Sequence, residues 1–275
     1  MIDYDPTQYL GSAPHYRRGR PPYSPELEAT LVRELRLDGH GRLLDAGCGP
    51  GILTTRLAQF FDAAIGLDPD PDMLAQGQIA ADAAGLTNIS WVQARAEDLP
   101  GAAPGPFKAV TFGQSLHRMY ESRVAETVYD LLEPAGSMVM IAHSLEGRPI
   151  PPATDHPPIP HDELLALVNK YLGSTMQMGK GVAPFRDHQW QDILVHTRFK
   201  TYRELWAPGI PDLLRDTQSV ISGYLSMSWS APHLYGDRLP NFEADARALL
   251  EERSADGLFW DWPGDTVIVI AQRPA

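Results

Sequence analysis

Apolar residues along this chain fall into short blocks whose spacing switches between that of a helix and that of a strand. Leu27, Leu31, Val32 and Leu35 recur at helical intervals behind Ser24 and Pro25, an N-cap and a first-turn proline, which predicts a helix over about 25–36. From there the blocks alternate. "RLLDAG" reads as a strand, "GILTTRLAQFF" as a helix, "AAIGLD" as a strand and "PDMLAQGQIAADAAG" as a helix. "NISWVQA" and "FKAVTFGQ" read as the third and fourth strands, "ESRVAETVYDLLEPAG" as a helix and "SMVMIAHS" as the fifth strand. Strands separated by helices of this length imply right-handed crossovers and a parallel sheet covered on both faces.

After Ser144 the rhythm breaks. "GRPIPPATDHPPIPH" carries six prolines between positions 149 and 160, so it can be neither helix nor central strand and reads as a loop on the ligand side of the fifth strand, a candidate lid. Leu164, Leu165, Val168, Tyr171 and Leu172 mark a helix, "DHQWQDILVHT" another, and "FKTYRELW" a sixth strand. Residues 211–230 read as inserted helix, "EADARALLEER" as the last helix and "DTVIVIAQ" as the closing strand. Neither an internal repeat nor a coiled-coil heptad stands out.

Charge narrows the partners. Lys and Arg number 23 against 35 Asp and Glu, a net charge of -12, and such a field repels nucleic acid and anionic membrane alike. The basic run "HYRRGR" at 15–20 is too short to reverse this and suits one anion or a solvated turn. The one cysteine, Cys48, can form no internal disulfide, which fits a reducing compartment. "MIDYDPTQYL" lacks the charged and apolar regions of a secretory signal, and no run approaches the roughly 18 apolar residues of a membrane span. The expectation is a soluble, cytoplasmic protein.

The candidate chemistry starts at "LLDAGCGPGILTTRLA", residues 43–58. A phosphate-binding loop ends in Gly-Lys-Ser/Thr, whereas Gly51 is followed by Ile52, Leu53 and Thr54. A dinucleotide fingerprint needs a third glycine where Ile52 stands. What remains is Asp45 followed by Gly47, Cys48 and Gly49: an acid that braces the turn or attracts a cation, and glycines that let a ligand approach the backbone. A ligand with an ammonium group and no pyrophosphate suits it best. Asp68, ending the second strand, can accept hydrogen bonds from both hydroxyls of a ribose, or cap the helix that follows. At the end of the third strand Ala96 offers backbone groups, and Glu97 or Asp98 a carboxylate, to the edge of an adenine. Successive strand ends thus line one rim, where open α/β sheets bind ligands.

"LLDAGCGPG", "IGLDPDPDML", "ARAEDLP" and "LLEPAGSMVMI", spread over residues 41–142, resemble the successive motifs of class I S-adenosylmethionine-dependent methyltransferases, particularly the small-molecule branch that includes quinone-biosynthesis enzymes. "HYRRGRPPYSPEL" resembles the N-terminal cap of that branch, and "GQSLHRM" a "GQSFHWM" form in which Leu116 and Arg118 replace aromatics. Arg95 stands where many relatives carry an adenine-binding Asp. The resemblance implies a Rossmann-like, doubly wound α/β fold with seven strands in the order 3-2-1-4-5-7-6 and the last strand antiparallel. A single domain over 1–275 would then divide into an N-terminal helical cap (1–40), a cofactor-binding core (41–145), a helical lid or substrate insertion after the fifth strand (146–235) and a final helix and strand (236–275).

It also implies S-adenosyl-L-methionine as cofactor, S-adenosyl-L-homocysteine as product, no metal, and a small, partly apolar acceptor methylated on oxygen, nitrogen or carbon. Tyr16, Arg20, Pro69, Met73 and Gln114 join the rim as cofactor contacts, with Arg20 facing the cofactor carboxylate. Cys48 contributes to the turn by packing. His117 and His143, on neighbouring strand ends, are the candidate bases, and Arg118, Tyr120 and Trp229 the candidate acceptor contacts. Each histidine could instead bond only to backbone, and each tryptophan could be plain packing. The acceptor's identity and the oligomeric state stay unread. The alternatives are a protein of this fold that binds the cofactor without transferring its methyl, as a regulator or a rearrangement catalyst, and a nicotinamide-dependent oxidoreductase.

Overall fold

The computed structural model describes residues 5–144, 155–174, 177–178, 181–182 and 190–275. Seven strands form the central sheet: β1 (Arg42–Ala46), β2 (Ala63–Asp68), β3 (Ile89–Gln93), β4 (Phe107–Gly113), β5 (Leu132–Ser144), β6 (Arg203–Ala207) and β7 (Asp265–Gln272). Their order is 3-2-1-4-5-7-6, with β7 antiparallel to both neighbours and the first five strands parallel, as the resemblance implies.

Alternation along the strands explains why both faces are covered. On β5, Val139 and Ile141 turn to the side of α2 (Leu27–Leu35) and α3 (Ile52–Leu57), where Leu27, Leu31, Leu53 and Leu57 meet them. Met138 and Met140 turn the other way, to Val124 and Val128 of α5 (Glu121–Leu131). A third apolar cluster lies away from the sheet, where α6 (His161–Leu172), α8 (Thr217–Leu225) and α10 (Leu239–Arg253) pack around Tyr235, Phe242 and Phe259. The short helix α9 (Pro232–Tyr235) joins that cluster, whereas α7 (Trp190–Val195) packs on α5 with Leu194 in the sheet-side core, and α4 (Pro71–Ala83) follows β2.

Several sequence expectations shift. The helix over 25–36 begins at Leu27, because Ser24 is held in the preceding turn: its Oγ accepts from the Glu26 amide, and its own amide donates to Thr266 Oγ1. Residues 211–230 are not one helix. Leu213–Asp216 form a strand paired antiparallel with Leu258–Asp261, which buries Arg215, and Asp216 then caps α8 by accepting from the Ser219 amide. The stretch containing "HYRRG", read as suiting one anion or a solvated turn, is the helix α1 (Ala13–Gly19), inside the region the resemblance makes a helical cap. Its last turn is packed so closely on α8 that a Cβ on Gly19 would lie 2.4 Å from the Gly223 nitrogen. The insertion is itself divided, since β6 runs between α6 and α8. Most of the proline-rich lid candidate, and the start of the helix expected from 187, lie outside the described residues.

Candidate active site

The glycine turn joins β1 to α3 through three left-handed residues, Gly47, Gly49 and Gly51, with φ of 67°, 53° and 69°. Their reasons differ. A Cβ on Gly47 would come within 2.6 Å of Ser115 Cβ, and one on Gly51 within 2.3 Å of the Trp91 ring. At Gly49 nothing lies within 4 Å: the turn faces open space there. The amides of Gly47 and Cys48 both donate to the Leu67 carbonyl, and that of Gly49 to Asp68 Oδ2 at 2.8 Å, so the end of β2 shapes the turn.

Asp45 is fully buried beneath it. Thr54 Oγ1 donates to one carboxylate oxygen at 2.6 Å and Thr111 Oγ1 to the other at 2.9 Å, while burial raises the carboxyl to about 6. Asp45 therefore braces β1 against β4 and α3, the first of its two sequence readings. Asp68 is raised to about 6 by the same cause, although the Gly49 and Asp70 amides both donate to it. Cys48 is buried, and its thiol is pushed well above its usual value by desolvation, then by the nearby carboxylates. It is not a ready nucleophile.

A recess of about 590 Å³, counting the part open to solvent, lies over the turn. Its lining brings together Tyr16, Arg20, Asp45, Gly47, Cys48, Gly49, Gln114 and His143 of the residues singled out from sequence. Gln114 holds φ of 54°, uncommon for a residue with a side chain, and its amide donates to the Ile141 carbonyl across the β4–β5 ends. Arg20 lies over the Tyr16 ring at 4.6 Å, its Nη2 donating to the Ser226 carbonyl, and its buried Nε has no hydrogen-bond partner. Arg17 Nη1 donates to the Pro50 carbonyl at 2.9 Å and fastens α1 directly to the glycine turn.

His143 stacks on Tyr23 with ring centroids 4.6 Å apart and planes 6° from parallel. Burial, then the charge of Arg20, lowers it to about 4, against a backbone hydrogen bond to Pro21. It is neutral at pH 7, with Nδ1 buried and without a partner. Pro21, Tyr23, Ile52, Leu53 and Gly113 also line the recess and were not singled out from sequence. For Tyr23 and Pro21 the signal was their place in the cap motif; Ile52 and Leu53 directly follow Gly51, and Gly113 directly precedes Gln114, so for these three it was adjacency to residues already singled out.

Other expected residues are elsewhere. His117 and Arg118 sit on the short 3-10 turn Leu116–Arg118 and Tyr120 caps α5, all outside the recess lining. The reason is local: Ser115 Oγ donates to the Ala46 carbonyl at 2.6 Å, which seats this turn on β1, and Leu116 is buried in the core. Trp229 packs edge-on to Tyr224 at 6.1 Å in the third apolar cluster. Pro69 directly follows β2, Met73 lies in the first turn of α4 and Ala96 opens the short turn after β3; Met73 and Ala96 are buried. Neither acid expected at the adenine edge is free: Glu97 accepts from the Tyr120 amide and pairs with Arg95, and Asp98 accepts from the Arg95 amide. Among the described residues, no group of three or more His, Cys, Asp or Glu is placed to hold a metal ion, and no helix is long and apolar enough to cross a membrane.

Residues 43–136 match the family model of the methyltransferase domain. The chain is 27% identical over 177 residues to 2-heptyl-1-hydroxyquinolin-4(1H)-one methyltransferase of Mycobacteroides abscessus, covering 62% of this chain and 77% of that protein. It is 33% identical over 98 residues to a ubiquinone biosynthesis O-methyltransferase of Methylococcus capsulatus, 35% of this chain and 41% of that one. Residues 43–136 are thus a methyltransferase domain, set in the seven-stranded sheet of the S-adenosylmethionine-dependent methyltransferase fold. Beyond the first of these relatives the matched region spans about half or less of the other protein, as with the 52% of methyltransferase pgmE of Aspergillus terreus. The methyltransferase fold extends over nearly the whole chain. The YcgJ protein of Bacillus subtilis superposes with TM-score 0.50 at 15% identity, over 90% of this chain and 97% of that one. A precorrin 8w decarboxylase of Methanobacterium thermoautotrophicum does so with TM-score 0.51 at 11% identity, over 94% and 97%.

Proposed function

We propose that this methyltransferase moves the methyl group of S-adenosyl-L-methionine to a nucleophilic atom of a small, partly apolar acceptor. The observation that carries this reading is the recess over Gly49, where strand ends, an unfilled backbone edge and the unpartnered Nε of Arg20 converge. These features fit the cofactor: Gly47, Cys48 and Gly49 would face its methionine part, Arg20 and Tyr16 its carboxylate end, and Gln114 its amino end. Asp68 would take the ribose hydroxyls with the lone pairs left after Gly49 and Asp70. Pro69, Met73 and Ala96 would wall the adenine; with Glu97 and Asp98 engaged, its polar edge falls to backbone groups near Ala96. When bound, the cofactor supplies a methyl group on a sulfonium, a good leaving group.

The chain's own contribution is then placement. Orienting an acceptor in line with a reactive carbon is worth about 7–11 kcal/mol, more than a general base supplies. His143 is the cavity's histidine; held near 4, it serves as a neutral hydrogen-bond acceptor and only weakly as a base. That favours acceptors whose proton is already acidic. A hydroxyl on an aromatic ring or ring nitrogen has this property, and the names of the hydroxyquinolinone and ubiquinone-biosynthesis relatives point the same way. His117, Arg118 and Tyr120 would act from the rim, and residues 146–235, with Trp229, would shape the acceptor side. A net charge of -12 disfavours nucleic acid and anionic membrane as partners, and a cytoplasmic location suits the cofactor.

The test is S-adenosylhomocysteine formation from S-adenosylmethionine with a panel of N-hydroxyquinolinones, catechols and simple amines, alongside calorimetric titration of S-adenosylhomocysteine. Binding with acceptor-dependent turnover supports the reading. Binding without turnover on any acceptor indicates a non-transferring relative, and stabilisation by NAD without binding of S-adenosylhomocysteine overturns it.

A further inference from the structure

α1 carries Tyr16 and is followed directly by Arg20, yet it is seven residues long, too short to stay helical unaided. Its final carbonyls also need donors from elsewhere. The donor comes from far along the chain: Arg215 Nη2 reaches the Gly19 carbonyl at 2.7 Å across 196 positions. The same guanidinium donates to Asp261 Oδ2 at 3.1 Å, to Ser219 Oγ at 3.1 Å and to the Ser219 carbonyl at 2.9 Å. Arg215 and Asp261 are each 7% exposed and stand on the two paired strands Leu213–Asp216 and Leu258–Asp261.

A buried ion pair is poor evidence of a stability device, because apolar groups of similar volume often serve as well. What apolar groups cannot do is satisfy a carbonyl. Nor can lysine replace the planar fork, which here serves Asp261, Ser219 and Gly19 together. The Gly19 carbonyl immediately precedes Arg20, whose own Nη2 is tied to Ser226 at the end of α8, so two bonds to the post-β6 segments bracket the residue that enters the cavity.

We propose that the Arg215–Asp261 pair is a positioning element for the cofactor side of the cavity, fixing the last turn of α1 and thereby the aim of Arg20. This rests on the reading of the recess as the S-adenosylmethionine site. It makes segments that shape the acceptor side a determinant of cofactor affinity.

The experiment compares the wild type with the paired swap Arg215→Met/Asp261→Leu, chosen to keep the site filled and uncharged, and with Arg215→Lys in case the swap fails to fold. Each is made alone and with Arg20→Ala. Calorimetric Kd for S-adenosylhomocysteine and amide hydrogen exchange over residues 16–20 are measured. The swap is expected to weaken binding about tenfold and accelerate exchange, with Arg215→Lys intermediate, and to weaken binding no further in the Arg20→Ala background. Wild-type affinity in the swap, or the same fold loss with and without Arg20, would overturn the proposal. If the wild type itself binds no S-adenosylhomocysteine, the functional reading fails; unaltered exchange over 16–20 in the swap would then independently refute the positioning role.

Discussion

The glycine turn separates two demands that a motif merges, stability and ligand access, and paired alanine substitutions distinguish them. In Gly47→Ala the new methyl enters a left-handed backbone at φ 67° and meets Ser115 Cβ at 2.6 Å and Met119 Cε at 2.9 Å. The backbone strain costs about 1–2 kcal/mol and the overpacking about 1–3 kcal/mol, so a loss of about 2–5 kcal/mol is expected. In Gly49→Ala the strain applies at φ 53°, but nothing stands within 4 Å of the methyl, so only about 1–2 kcal/mol should be lost. The methyl instead occupies space over the turn. Urea unfolding and calorimetric titration with S-adenosylhomocysteine report the two effects separately. Gly47→Ala should show the larger drop in unfolding free energy, and Gly49→Ala should lose at least tenfold in affinity while remaining folded. Near-wild-type affinity in Gly49→Ala, or equal destabilisation by both, would refute the division of labour drawn here.

That His143 and not His117 lines the recess has kinetic consequences. With an acidic hydroxyl acceptor, His143→Phe, which keeps an aromatic ring against Tyr23, should reduce kcat about tenfold or more, while His117→Ala should stay within about threefold; the reverse order would restore His117. Trp91 fills a slot made by Gly51, Gly66 and Gly77, where each Cβ would lie within 2.3–2.7 Å of its ring, so Trp91→Ala should cost about 3 kcal/mol in urea unfolding. A loss below about 1 kcal/mol would show that the slot collapses freely. Asp45 sits near 6 when folded against the usual 3.8, so the folded chain keeps a proton between those values that the unfolded chain has released. Its stabilising linkage is complete below about pH 4 and lost as pH rises through 6, on the order of 3 kcal/mol in all. Asp45→Asn should make unfolding free energy fall less steeply from pH 4 to 6; an unchanged slope would refute the raised carboxyl.

The legible half of the molecule is the half where residues act through local pattern. Strand and helix periods, the left-handed glycines and the acids ending β1 and β2 stand within one run from 42 to 98, and the strand order followed from the motif resemblance. Illegible features depend on partners distant in sequence. "LLRD" resembles a helix start until Asp261, 46 positions from Arg215, is placed against it as its ion-pair partner. His117 has the chemistry of a base, yet Ser115 and Leu116 anchor its turn to β1 and the core. Glu97 has the chemistry of an adenine ligand but spends one oxygen on the Tyr120 amide, 23 residues away. Motif spacing shows which strand ends share a rim, not which way each side chain leaves it.

The most direct test of the account is a crystal structure with S-adenosylhomocysteine. Its homocysteine part should lie over Gly47–Gly49 with the carboxylate near Arg20, its ribose on Asp68, and its sulfur directed toward the space lined by Gln114 and His143. A ligand bound outside this recess, or a ribose with no contact to Asp68, would contradict it.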